Sequence, residues 1–198
     1  MKFKEVLKEV EESKEFKDWH KKNSKSYVVA GFFTLNFEKM GKDKKPTLEQ
    51  EQLDYLHGKK VSIFHISKEN GKRKITITEE DANKQEKEAA KIVGKKVAKE
   101  QMKKVGAQGL EELKLPEKFK CDIEDLESQV RDEMSEKSMQ NLLVTKIVAV
   151  LQMHDNKLIW NVTTIFSSLE LLTMHIGVES GELFFSEKKN IFQVMKKI

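Results

Sequence analysis

The chain has 198 residues, 38% hydrophobic and 35% charged, with 37 bases against 33 acids and a formal charge of +4. That length holds one medium domain or two small ones, and the mix supports a packed core rather than a disordered polymer. No apolar run reaches the roughly 18 residues of a membrane span, no apolar segment follows the charged start Met1-Lys2-Phe3-Lys4-Glu5 as a signal peptide requires, and the single cysteine, Cys121, excludes an intrachain disulfide and a cysteine-built zinc site; the expectation is a cytoplasmic protein without membrane contact.

Phe3, Val6, Leu7 and Val10 recur at helical spacing, and Phe16 and Trp19 extend the pattern imperfectly. Residues 2–22 are therefore expected as one amphipathic helix. Tyr27 to Phe37 is β-branched and aromatic and predicts a long strand, with Gly31 inside it marking a bulge or sharp twist. Residues 38–50 form a polar connection, and Gln52 to His57 a short strand. Val61 to Ile66 and Lys74 to Thr78 flank Asn70-Gly71, a strong hairpin signal. Thr76 or Thr78 then caps a helix over about 80–104, with Glu79, Glu80 and Asp81 complementing its dipole. Residues 106–120, with Gly106, Gly109 and Pro116, read as a linker. Ile123, Leu126, Val130 and Met134 predict a second amphipathic helix with Asp122 as its cap. Strands follow at 142–153, 158–166, 170–176 and 183–185. Ile191, Phe192, Val194, Met195 and Ile198 suggest a short closing helix or a docked tail.

The two halves share a plan of helix followed by strands. Phe64-His65-Ile66 lies 110 residues before Met174-His175-Ile176, and Glu69-Asn70-Gly71 the same distance before Glu179-Ser180-Gly181. This points to a diverged duplication of a unit of about 80–90 residues. The expected class is α+β: two units, each an antiparallel curled sheet packed on a helix, joined by the long helix. The divisions are 1–79, 80–121 and 122–198.

The second unit resembles the PepSY type of cystatin-like domain. The residues carrying the resemblance are Trp160-Asn161-Val162 and Ile176-Gly177-Val178-Glu179-Ser180-Gly181-Glu182-Leu183. Family members tend to show a tryptophan and a valine on the middle strand, then an Asp-x-x-Thr-Gly-Glu turn. Gly177 stands here in place of the aspartate and Ser180 in place of the threonine, while Trp160, Val162, Gly181 and Glu182 fit. The resemblance spans roughly residues 122–186 and implies a cystatin-like fold there; the first unit keeps only Asn70-Gly71 and lacks the tryptophan, and is expected as a diverged cystatin-like copy. Such domains occur in peptidase propeptides and inhibitors and in cell-envelope proteins, and the resemblance implies a fold more than a role.

Chemistry-bearing motifs are sparse. The five histidines show no standard metal spacing. His65 and His175 share one repeat position, and each alternates with apolar neighbours, as a half-exposed strand histidine does. Cys121 sits among acids that raise a thiol pKa and discourage nucleophilic use. Gly94-Lys95-Lys96 is not a P-loop, Gly106-Ala107-Gln108-Gly109 is not a dinucleotide fingerprint, and the sequon Asn161-Val162-Thr163 lies in a strand. No catalytic, cofactor-binding or metal-binding residue is assigned.

Three functions follow. The first is a noncatalytic protein acting by protein–protein contact, through a sheet edge that accepts a partner strand or as a homodimer. Residues 84–104 carry a local charge of +5 and residues 111–137 a local charge of −5, and these segments could pair within the chain or between copies. The second is a small-molecule carrier or enzyme with a helix–sheet pocket lined by Trp19, Phe32, Tyr55 and Phe64. The third is nucleic-acid binding through Lys84, Lys87, Lys91, Lys95 and Lys99. Only Arg73 and Arg131 supply guanidinium groups, which argues against it.

Overall fold

A computed structural model describes residues 1–38, 45–69, 72–82 and 110–190. Its elements, in chain order, are α1 (Phe3–Glu12), α2 (Lys14–His20), β1 (Tyr27–Asn36), β2 (Thr47–His57), β3 (Lys60–Glu69), β4 (Lys72–Asp81), a single 3₁₀ turn (Ile123–Asp125), α3 (Leu126–Glu136), β5 (Val144–His154), β6 (Lys157–Phe166), β7 (Glu170–Gly177) and β8 (Leu183–Asn190). All eight strands join one antiparallel sheet in the order β4-β3-β2-β1-β5-β6-β7-β8.

This corrects the expectation of two sheet-on-helix units joined by a long helix. The first strand of each half pairs with the first strand of the other, so the sheets merge and three short helices among the described residues serve both. The physical reason lies in edge exposure. A four-strand meander under one helix leaves its first strand with an open edge of backbone donors and acceptors. Here β1 and β5, both rich in β-branched and apolar residues, satisfy those groups against each other. The repeated order survives as geometry. Strands β2 and β6 begin 110 residues apart, as do β3 and β7, and the sheet is arranged about a pseudo-two-fold near the opposed pair Phe33 and Ala149.

Local departures have local causes. The expected helix over 2–22 breaks at Ser13, whose extended backbone ends α1 while its Oγ accepts from the Phe16 N–H at 3.1 Å and so starts α2. That break rotates Phe16 and Trp19 onto the core and explains their imperfect spacing. Strand β2 starts at Thr47 inside the expected polar connection, because its first half lies on the rim of the sheet where polar side chains are tolerated. Strand β4 runs through Glu79, Glu80 and Asp81, so these are strand residues and not a helix start. The rest of the expected 80–104 helix, the Asn70-Gly71 turn and the 191–198 tail lie outside the described residues. Strand β8 extends to Asn190.

The described helices all cover one face. Phe3, Val6, Val10, Phe16 and Trp19 pack with Leu126, Val130 and Met134 in a single buried cluster on that side. Phe3 sits at the seam. It is fully buried, meets Phe33 and Trp160 edge-on, and stacks on Phe119. Its N–H donates to Asp122 Oδ1 at 2.8 Å, and the same oxygen accepts from the Ile123 N–H at 2.7 Å. One carboxylate thus caps a helix start in each half. Residues 110–120 are no free linker: Leu113 is buried and its N–H donates to the Val28 carbonyl at 2.9 Å.

Gly31 leaves the space that Phe3 fills. A Cβ there would stand 2.6 Å from the Phe3 ring and 3.1 Å from Phe33, and Phe3, hemmed by three other rings, cannot move aside. We expect Gly31→Ala to destabilise the chain by about 1–3 kcal/mol through overpacking, read as a lower urea midpoint, and the double variant with Phe3→Leu to recover part of that loss.

Candidate functional site

Because strand side chains alternate, the sheet has a second face that carries no described helix. On it the register aligns one row straight across the sheet: Thr76, His65, Gln52, Phe32, Val150, Asn161, His175 and Phe185 on successive strands. Read from the centre outward, both halves give an apolar residue, an amide and a histidine. The row on one side runs Thr78, Ile63, Asp54, Ala30, Gln152, Ile159 and Gly177 from β4 to β7. The row on the other side includes Gln50, Thr34, Val148, Thr163, Thr173 and Glu187 from β2 to β8.

Most of these side chains are half-buried by their neighbours. A polar ladder runs along β2, where Gln50 Nε2 donates to Gln52 Oε1 at 3.3 Å and Gln52 Nε2 donates to Asp54 Oδ1 at 2.8 Å. Burial pushes the Asp54 carboxyl above its ordinary range, against the Gln52 amide and His65, which hold it down. A shallow groove of about 650 Å³ crosses the first half of the face, lined among others by Phe32, Thr34, Gln50, His65, Lys146 and Val148. Lys146 Nζ donates to Glu49 Oε2 at 2.7 Å at its margin.

The far corner is aromatic. Phe185 lies 5.0 Å from the His175 ring and His175 lies 5.6 Å from His154. Phe184 folds over Gly177, where a Cβ would stand 2.6 Å from its ring, and Lys157 Nζ sits 4.8 Å from its centroid. Phe184 and Phe185 remain 48% and 41% exposed on an edge strand, which is a large apolar exposure for a sheet rim.

The residues singled out from sequence separate clearly. His65 and His175 do occupy matching positions, but five strand spacings of about 4.8 Å put them roughly 24 Å apart, too far to share a ligand. Among the described residues no three His, Cys, Asp or Glu groups are grouped to hold a metal. Trp19, Tyr55 and Phe64 belong to the buried core, with ring centroids 5.1–5.8 Å apart, whereas Phe32 lies on the opposite face. The expected pocket-lining set is therefore split by the sheet, and the space between α2 and the strands is filled by rings.

Ser62, His57 and Glu79 bear a formal likeness to a catalytic triad. Ser62 Oγ lies 2.9 Å from His57 Nε2, and that same nitrogen lies 3.8 Å from Glu79 Oε1. A triad needs the acid on the other ring nitrogen and a reachable hydroxyl. Here Ser62 is fully buried and accepts from Trp19 Nε1 at 3.1 Å, so the cluster anchors α2 to the sheet.

Cys121 is also internal. Burial first, and Asp125 and Asp122 second, push its thiol up to about 12, so the acids read from sequence are the lesser cause. Its carbonyl accepts from Trp160 Nε1 at 3.1 Å, and Trp160 is fully buried under the helices. Gly181 takes a positive φ of 70° in the turn before β8. The lysine series from Lys84 to Lys99 lies outside the described residues. Arg73 is bound to Glu9 and Glu51, and Arg131 to Glu127.

Sequence reasoning did not single out Gln52, Asn161 as a face residue, or the Phe184-Phe185 pair. The signal for the first two was partial: the 110-residue offset aligns the histidines, but the amides stand 109 residues apart, and only the strand pairing sets Gln52 beside His65 and Asn161 beside His175.

No protein-family model matches the chain, and no curated protein matches it. Among solved structures, a crystal structure of a "putative lipoprotein" from Clostridium difficile 630 is similar, with a TM-score of 0.50 at 10% identity, covering 88% of this chain and 90% of that one. At that identity the likeness concerns the fold alone. No described helix is long and apolar enough to cross a membrane.

The site makes two chemical predictions. Cys121 should resist a thiol-specific disulfide reagent in the native chain and react fully in denaturant. His175 is held below its ordinary value of 6.5 by burial first and by His154 second. The unfolded chain then binds a proton more readily, so stability is present above about pH 6.5 and is lost as pH falls through the lower native value. The urea midpoint should drop between about pH 7.5 and pH 5, and His175→Phe should flatten that drop.

Proposed function

We propose that this chain is a noncatalytic binding protein whose open sheet face docks the surface of another protein molecule. The carrying observation is the charge pattern of that face. The chain is 35% charged, yet on the six inner strands the three central rows hold one acid, Asp54, and two histidines. Charge returns at the margins of the face with Lys74, Glu80, Glu187 and Lys189. A centre depleted of charge, supplied with amides and an apolar middle and rimmed by charge and aromatics, is the anatomy of a protein interface.

A nucleic-acid surface would need a basic stripe, and these rows carry none on the inner strands. An enzyme would need converging reactive groups in a cleft. In the nearest candidate cluster the hydroxyl, that of Ser62, is fully buried and bound to Trp19.

Photo-crosslinking in cells tests this reading. A benzophenone side chain at Gln52 should yield a protein adduct identifiable by mass spectrometry, and one at Lys8, exposed on α1, should not. Phe32→Glu combined with the Gln52 probe should abolish the adduct. Nucleic acid in the Gln52 adduct, or no adduct at that position, overturns the proposal.

A further inference from the structure

We infer that the occupant of the open face is a second copy of this chain, with two sheets stacked face to face to form a closed sandwich. This rests on the reading of that face as a protein-docking surface and names the partner.

Three observations favour self-association. First, area. Eight strands at about 4.8 Å spacing and about eight residues at about 3.3 Å each present roughly 1,000 Å², against the roughly 800 Å² per partner of a standard stable interface. Second, charge. An isologous contact brings each residue type near itself across the axis. In a chain with 37 bases and 33 acids, a charged surface meeting its own copy opposes like charges unless each sits across from its opposite. The central rows of the open face largely avoid that penalty, since apart from Asp54, His65 and His175 their groups are amides, hydroxyls, aliphatic side chains and the Phe32 ring. Third, internal symmetry. The central row reads histidine, amide, apolar, apolar, amide, histidine from His65 to His175. When two such faces meet with their pseudo-two-folds aligned, apolar centre meets apolar centre. Gln52 and Asn161 each carry both donors and acceptors, so amide can pair with amide. Sheets stacked in this way lie about 10 Å apart, a distance that Phe32, Val148 and Val150 can fill.

The arrangement differs from pairing of the oppositely charged segments 84–104 and 111–137, and salt separates the two. A contact made by neutral rows keeps its strength as salt rises, whereas exposed ion pairs weaken. Sedimentation velocity of the full chain, from about 1 to about 200 µM, at low salt and at about 0.5 M salt, is the test. The expected result is a concentration-dependent dimer, equally populated at both salts. Val150→Glu should lower self-association at least about 100-fold, since burying an unpaired charge in an interface costs several kcal/mol. The milder Asn161→Asp should weaken it in the same direction. Both side chains leave the covered core untouched, so at a protein concentration low enough for the parent chain to be monomeric the variants' circular dichroism and urea midpoints should match its own, identifying any loss of dimer as an interface effect. A monomer at every concentration overturns the inference. So does a dimer that dissolves in salt and survives Val150→Glu. A monomer whose Gln52 probe still captures a different protein overturns the second copy and leaves the docking reading standing; a monomer whose probe captures nothing overturns both.

Discussion

The antiparallel pairing of β1 with β5 is the constraint on which the rest depends. Each half builds a four-strand meander from sequential hairpins, and a meander always exposes the outer edge of its first strand. The chain resolves both exposed edges in one step by setting them against each other from Ala30–Gln152 to Asn36–Lys146. That pairing fixes the strand order and leaves β4 and β8 as the two edges of the sheet. It also sets the register that aligns the histidines and amides. A slip of one residue would turn one half over against the other, sending either Phe33 or Ala149 and Leu151 to the open side.

The pairing is held from the covered side by Phe3 and Asp122. Phe3 reaches across the seam to Trp160 of β6, and Gly31 gives up a side chain to admit it. Asp122 satisfies a helix N–H from each half with one oxygen. Burial raises the carboxyl of Asp122 while those two N–H donors pull it down, which is the balance expected of a buried acid serving as a structural acceptor. Bringing the two halves' described helices to one side therefore leaves the other side of the sheet without a helix among the described residues.

Much of this was legible in sequence and some was not, for identifiable reasons. Strand alternation in β1, β3, β5, β6 and β7 reads directly, because each has one buried face with large aliphatic or aromatic residues at every second position. The offset between His65 and His175 marks equivalent positions because hairpin length is rigidly transmitted along a meander. The merger of the two sheets left no local mark: an edge that pairs and an edge that is covered have the same apolar composition. The helix break at Ser13 was hidden because serine tolerates a helix interior, and only its extended backbone and cap hydrogen bond reveal its role. The acids at 79–81 misled because a charged edge strand and a helix start attract the same residues. The interface face was the least visible, since it exists only once eight strands are aligned.

The contrast between inner and edge strands bears on how the face came to be uncharged. If strand-forming propensity alone had removed charge, the edge strands would be equally bare. They are not: β4 carries Lys74 and Glu80 on the open side, and β8 carries Glu187 and Lys189. Charge is thus accepted in strands of this chain where it faces water at a rim and blunts edge-to-edge aggregation. Its scarcity in the middle of the same face, where Asp54 is the one acid of the three central rows, is a property of position rather than of secondary structure. An uncovered sheet surface freely hydrated in use would gain solubility from the lysines and glutamates that fill the rest of the chain. Amides, hydroxyls and a few aliphatic groups instead keep that middle inexpensive to dehydrate, and this favours a surface that exchanges water for a partner.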